Sequence, residues 1–259
     1  VKFARFTVDS APHTGILEGD TIREIKGDPF TNWTYTGNVF LSSQVKFLAP
    51  LEPNQILGIG ANYVAKVEEI PEELPAIPVF FFKPVSSVIG PEEDIIIPEG
   101  IEQVKFESEL AIVIGREAKN VPESEVLDYV FGYTVGNDVT APQFFRQDGH
   151  WTIGKAFDTF TPLGPVIETE LDPFAIKVEA RLNGTEKQNS ATDLMIIPIR
   201  KMISYLSSVM TLKPGDVILT GSPLGAEMVQ AGDVIECEIK EIGTLKNTFV
   251  TARESASVV

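Results

Sequence analysis

Apolar residues in this chain come mostly as short runs bounded by Gly, Pro, Asn and Asp, the pattern of strands rather than of long amphipathic helices. Residues 79–82, 94–97, 110–114, 130–135, Lys177–Leu182, Val217–Leu219 and Val234–Ile239 read as strands on this basis. Helical spacing is clearest after Pro198, where Ile199, Met202, Ile203, Leu206, Val209 and Met210 share one face before the turn Lys213-Pro214-Gly215-Asp216. A second short helix is predicted over 122–129, with Glu123 and Glu125 complementing its positive amino end.

The first fifty residues carry strand-like pieces at Lys2–Val8, 14–18 and 21–25, separated by Gly19-Asp20 and Gly27-Asp28-Pro29. Pro50 and Pro53 flank a boundary. The expected organisation is a small β-rich amino-terminal domain over 1–52, a larger unit over 53–251 and a small, polar, flexible tail over 252–259. The fold class is α+β, dominated by β-structure with a few short helices.

Composition narrows the partners. Lys and Arg total 21 against 37 Asp and Glu, a formal charge of −16, which repels phosphate backbones and anionic lipid surfaces. Nucleic-acid and membrane partners are therefore not expected, and an anionic substrate must be drawn in by a local cation. The single Cys237 excludes an intrachain disulfide and a thiolate cluster, and reads as core filling. No run approaches a membrane span, and Val1-Lys2-Phe3-Ala4-Arg5-Phe6 lacks the pattern of a secretory signal. A cytoplasmic protein is expected.

Candidate chemistry starts at Phe106-Glu107-Ser108-Glu109-Leu110-Ala111-Ile112-Val113-Ile114-Gly115. Residues at i and i+2 of a strand share a face, so the Glu107 and Glu109 carboxylates point into one space. Two anions there repel and lose hydration unless a cation lies between them. Alone, a Glu-X-Glu on a strand reads as a solvated edge. Asp138, at the polar end of Tyr133-Thr134-Val135-Gly136-Asn137-Asp138, supplies a third acid. An all-oxygen set of this kind favours Mg²⁺ or Mn²⁺, with Ca²⁺ as a substitute, over zinc. With only His13 and His150 in the chain, a histidine-based site is not expected.

Several motifs in order resemble the fumarylacetoacetate hydrolase family over about residues 57–250: Gly60-Ala61-Asn62-Tyr63, Phe82-Lys83-Pro84, the Glu107–Glu109 segment, Gly136-Asn137-Asp138-Val139-Thr140-Ala141, Gly154-Lys155-Ala156-Phe157-Asp158-Thr159-Phe160, Pro162-Leu163-Gly164-Pro165, Leu182-Asn183-Gly184 and Pro214-Gly215-Asp216 through Thr220-Gly221-Ser222-Pro223. The resemblance implies a mixed β-roll or sandwich, a Mg²⁺ or Mn²⁺ site on Glu107, Glu109 and Asp138, and a homodimer. It places Lys155 at the substrate, as a catalytic and binding residue, with Tyr63 and the Thr220-Gly221-Ser222 loop around the same pocket. The implied reaction is cleavage of a C–C bond in a small 2-oxo or 1,3-dioxo acid of acylpyruvate type through a metal-stabilised enolate.

The chain departs from that pattern at two places. Family hydrolases carry a histidine three residues after the tyrosine and a glutamate three further on, a dyad that activates water; here the positions hold Lys66 and Glu69. An unperturbed lysine is charged at neutral pH and acts as a base only when its pKa falls by several units. An arginine that binds the substrate carboxylate is replaced by Pro142, leaving Gln143, Arg146 or Lys66 to take its place, and His150 as a substitute base. Lys66 and Glu69 stand as catalytic candidates. Decarboxylation of an oxaloacetate-type acid, or keto–enol isomerisation, needs the enolate without an activated water and fits Lys66 better. A metal-binding family member without turnover is the alternative of another class.

Overall fold

The computed structural model describes residues 1–147 and 150–255; of the tail read as flexible, only the helical turn Ala252–Ser255 lies among them. The β-dominated α+β architecture expected from the apolar pattern is what forms.

Ten strands of the larger sheet run in the order Trp33–Leu41, Thr21–Gly27, Ala11–Glu18, Lys2–Val8, Thr161–Glu168, Val130–Asn137, Ser108–Ile114, Val217–Leu219, Ile56–Ile59 and Phe80–Lys83, with Lys46–Phe47 and Val88–Ile89 paired off that path. A five-stranded sheet follows the order Thr185–Ala191, Lys177–Leu182, Val234–Ile239, Gly243–Thr251 and Ile95–Ile97. The amino-terminal strands join the larger sheet directly, through Lys2 opposite Glu168 and Phe3 opposite Ile167.

Ser108–Ile114 is buried at every position because both of its faces are covered, which is why it reads as a continuous apolar run. Leu110, Ile112 and Ile114 enter the core shared with Val178, Ala180, Ile235 and Phe249 of the second sheet. Ala111 and Val113 point the other way, to Phe3, Ile16, Leu163 and Val217. Alternation thus ties one strand to two cores.

The predicted long helix is Ile199–Val209, with Ile199, Met202, Ile203 and Leu206 buried. Pro198 sits at its cap, in extended conformation, rather than inside the first turn. The helix ends at Val209, which is half exposed; Met210 is already extended, yet it packs partly buried against the core. The helix predicted over 122–129 is instead a turn closed by the Glu125 amide on the Pro122 carbonyl, followed by the 3-10 turn Val126–Tyr129. Eight residues are too few to propagate an α-helix past its nucleation cost, and Arg200 binds the carbonyls of Glu123 and Ser124. No helix among the described residues is long and apolar enough to cross a membrane.

Cys237 lies in Val234–Ile239 with its thiol pushed up to about 12, chiefly by burial. A thiol reagent at pH 8 is expected to leave the native protein unlabelled and to modify one thiol per chain in denaturant, which mass spectrometry measures.

Candidate metal centre and its cavity

Two neighbouring strands deliver the carboxylates, and a third delivers a backbone amide to one of them. Ser108–Ile114 carries Glu109 and begins one residue after Glu107; its antiparallel neighbour Val130–Asn137 ends immediately before Asp138. The register sets Ser108 opposite Asn137 and Glu109 opposite Gly136. It is locked beyond the strand ends by the Asp138 amide on the Glu107 carbonyl at 2.9 Å and the Glu107 amide on Asn137 Oδ1 at 2.9 Å. On the other side, Val217–Leu219 runs into Thr220, whose amide and hydroxyl both donate to the Leu110 carbonyl. That brings the Gly221 amide to Glu109 Oε2 at 2.7 Å. Gly221 has φ +100°, and a Cβ there would meet Asn62 Cβ at 2.6 Å, so the approach needs glycine.

Carboxylate oxygens of Glu107, Glu109 and Asp138 all lie within 4.8 Å of one another. Lysines surround them. Lys83 Nζ donates to Asp138 Oδ1 at 2.6 Å and to the Val139 carbonyl. Lys155 Nζ donates to Glu107 Oε2 at 2.7 Å and to Asp138 Oδ2, and stands 4.8 Å from the centre of the Phe81 ring. Lys105 Nζ meets Glu107 Oε1 at 2.6 Å.

The groups titrate differently because their surroundings differ. Burial, then Asp138 and Glu107, push the Glu109 carboxyl well above the usual range. For Asp138 burial acts in the same direction, but the ammonium groups of Lys155 and Lys83 outweigh it and hold the carboxyl low. Burial opposes the charge on Lys155, and Asp138 and Glu107 more than offset that, so its pKa is raised. Glu109 is the carboxylate whose charge the protein leaves least compensated. An all-oxygen cluster containing such a group fits a hard divalent cation.

The cluster floors a cavity of about 320 Å³ whose walls include Ile59, Phe145, Trp151, Ser222 and Leu224. Trp151 stacks on Phe145 and meets Phe81 edge-on. It packs so closely over Gly60 that a Cβ there would come within 2.0 Å of the indole. Lys155 ends the helical turn Thr152–Lys155, which is held against the Asp138 segment by the Ala141 amide on the Gly154 carbonyl.

Of the residues singled out in the sequence, Glu107, Glu109, Asp138, Lys155 and Ser222 line this cavity. Gly221 contributes through its amide. Thr220 is buried with its hydroxyl on backbone. Tyr63 is buried beside Glu109; its pKa is raised by burial and then by that carboxylate, and its hydroxyl has no hydrogen-bond partner among the described residues. Lys66 and Glu69 are exposed at a 3-10 turn and are not among the cavity's lining residues; Glu69 Oε2 accepts from the Ala65 amide. Gln143 accepts from the amides of Glu102 and Gln103, and Arg146 and His150 are exposed.

Sequence reasoning assigned no role to Lys83, Lys105 or Gln188. Lys105 was legible, since it continues the alternation of Glu107 and Glu109. Lys83 showed as a lone charge closing an aromatic strand. Gln188 had no local signal: it lies in a polar strand, yet it is buried, accepts from the Ser108 amide and donates to Ser222 Oγ and the Pro223 carbonyl.

Residues 55–250 match the family model described as fumarylacetoacetate hydrolase, C-terminal, and residues 1–50 match the Rv2993c-like N-terminal model. The chain belongs to the fumarylacetoacetate hydrolase family. Among its relatives in that family is the mitochondrial oxaloacetate tautomerase fahd2 of Xenopus laevis, 40% identical over 82% of this chain and 71% of that protein. Among solved structures of similar proteins, 5-carboxymethyl-2-hydroxymuconate delta-isomerase from Mycobacterium smegmatis superposes with TM-score 0.90 at 39% identity, covering 97% of this chain and 100% of that one. Maleylpyruvate hydrolase from Sphingobium sp. SYK-6, solved with manganese(II) and pyruvate, superposes with TM-score 0.81 at 29% identity over 97% and 99% of the two chains.

The raised Glu109 pKa has a defined sign for stability. The native state keeps a proton that the unfolded chain releases above about pH 4.3, so the ionised group opposes folding at neutral pH. Glu109→Gln is therefore expected to melt higher than wild type in chelator at pH 7, on the order of 2–4 °C for each kcal/mol relieved. The gap closes as pH falls below about 4.3. Thermal unfolding in EDTA across pH measures it.

Proposed function

We propose that the protein is a divalent-metal-dependent enzyme that interconverts the keto and enol forms of a small 2-oxo acid of oxaloacetate type. The observation that carries this reading is a cavity floored by three convergent carboxylates and the buried Lys155 ammonium, with no imidazole among its lining residues. Glu107, Glu109 and Asp138 would hold the ion, Mg²⁺ or Mn²⁺ by donor type, with Ca²⁺ as a substitute. Such an ion would supply Lewis-acid charge that acidifies the C–H beside the keto group, the proton leaving that carbon to solvent water and a proton from water completing the enol.

The chain's own residues supply the rest. Lys155 keeps its proton at neutral pH and serves as a hydrogen-bond donor to the developing enolate oxygen. Ile59, Phe145 and Trp151 displace water from one wall, which strengthens that interaction. Ser222 adds a hydroxyl to the lining next to the Gly221 amide, and Tyr63 is buried beside Glu109. The enzyme is taken to be a cytoplasmic homodimer with a small anionic substrate and neither nucleic-acid nor membrane partners, in keeping with the formal charge of −16.

A second reading, hydrolysis of a C–C bond in an acylpyruvate-type acid, is favoured by the likeness to maleylpyruvate hydrolase. It requires an activated water, with Lys66 and Glu69 as the nearest candidates in sequence to the Tyr63 segment. Decarboxylation shares the enolate and needs no such water.

The readings separate on one panel: enol-oxaloacetate tautomerisation, oxaloacetate decarboxylation and acylpyruvate cleavage, each in Mg²⁺, Mn²⁺ and EDTA above the protein-free rate. Metal-dependent tautomerisation is expected, lowered about a hundredfold or more in Lys155→Met and changed by less than about twofold in Lys66→Ala and Glu69→Ala. Acylpyruvate cleavage that collapses in the latter two variants selects the hydrolase. No metal-dependent turnover on any member leaves a binding protein.

A further inference from the structure

Lys105 differs from the other two lysines of the cluster in one respect: it reaches solvent. Its side chain is 29% exposed, against 4% for Lys155 and 0% for Lys83, which stands behind Asp138. Its backbone is nevertheless fixed from two sides. The Lys105 amide donates to the Thr140 carbonyl at 2.8 Å and its carbonyl accepts from the Thr140 amide at 3.0 Å, while Val104–Lys105 pairs with Met228–Val229 across the strand. A fixed stem therefore carries a partly exposed ammonium between the Asp138 segment and the segment that follows Ser222–Ala226.

Charge defines what that ammonium can take. Lys83, Lys105 and Lys155 match Glu107, Glu109 and Asp138 in number, so a bound divalent ion leaves the cluster with two positive charges. A 2-oxo monocarboxylate offsets one of them. An uncompensated charge in a partly enclosed, aromatic-walled cavity is costly, and a second carboxylate on the substrate removes it. Lys155 makes two contacts inside the cluster, on Glu107 and Asp138, which leaves its third donor for the enolate oxygen, whereas Lys105 meets Glu107 through one contact and keeps two of its three donors. The apolar lining residues Ile59, Phe145, Trp151 and Leu224 offer no competing cation.

We propose that Lys105 is the specificity-determining residue of this cavity, binding the distal carboxylate of a dianionic 2-oxo dicarboxylate. The inference rests on the 2-oxo acid reading above, whose oxaloacetate-type substrate is already a dicarboxylate, and adds to it the residue that reads the second carboxylate.

A matched pair of ligands tests it: 2-oxoglutarate and 2-oxopentanoate have the same chain length and differ in a terminal carboxylate against a methyl. Calorimetric titration of the Mg²⁺-loaded protein is expected to give wild type about tenfold or greater preference for the dicarboxylate. In Lys105→Met the preference falls to near one, while Mg²⁺ affinity, titrated separately, stays within about threefold; Lys105→Arg restores most of the preference. Equal loss for both ligands, or a fall in Mg²⁺ affinity that accounts for it, overturns the proposal and leaves Lys105 as a support for Glu107. Wild type that binds both ligands equally overturns the proposal but not the 2-oxo acid reading. Wild type that binds neither overturns both.

Discussion

Mutual repulsion among three carboxylates, Glu107, Glu109 and Asp138, is the constraint on which the rest of this structure depends. Their oxygens are brought within 4.8 Å of one another by strand register rather than by flexible loops. Hydrogen-bonded ladders on both sides of Ser108–Ile114 resist the separation that the charges would drive. Lysines offset part of that repulsion, two of them on Asp138 alone. Glu109 receives the least, and the consequence is a carboxyl whose pKa is raised well above normal in the middle of a buried strand.

The same arrangement explains the aromatic wall. Lys155 has to be buried to reach Glu107 and Asp138, and a buried ammonium needs electron-rich neighbours as well as anions. Phe81 supplies one, and the stack of Trp151 on Phe145 closes the space beyond it. Gly60 and Gly154 permit this closeness: a Cβ at either would collide with Trp151 or with the Ala141 carbonyl. Packing and chemistry are therefore set by the same few residues, and the cavity's polar floor and apolar wall are two sides of one electrostatic problem.

Strands were legible in the sequence, and four were legible to the residue: Lys2–Val8, Lys177–Leu182, Val217–Leu219 and Val234–Ile239. Thr161–Glu168 was not, because Pro162 and Pro165 read as breakers although each lies in the strand. Thr185–Ala191 was hidden by its polarity; it is the outermost strand of its sheet, so it needs no apolar face on both sides. In the cavity, the acids were visible as an i, i+2 pair, and Lys105 continued that alternation unnoticed. Gln188 and Lys83 come to the cluster from strands remote in sequence, and only the tertiary pairing of strands brings them there. The exposed position of Lys66 and Glu69 likewise follows from the path of the loop after Tyr63, on which local sequence spacing is silent.

The central claim is that the three carboxylates converge to hold a divalent ion, and anomalous diffraction from Mn²⁺-soaked crystals tests it most directly. One strong manganese peak per chain is expected, within about 2.2 Å of an oxygen from each of Glu107, Glu109 and Asp138. A peak elsewhere, or no peak while Lys155 still bridges Glu107 and Asp138, would contradict it.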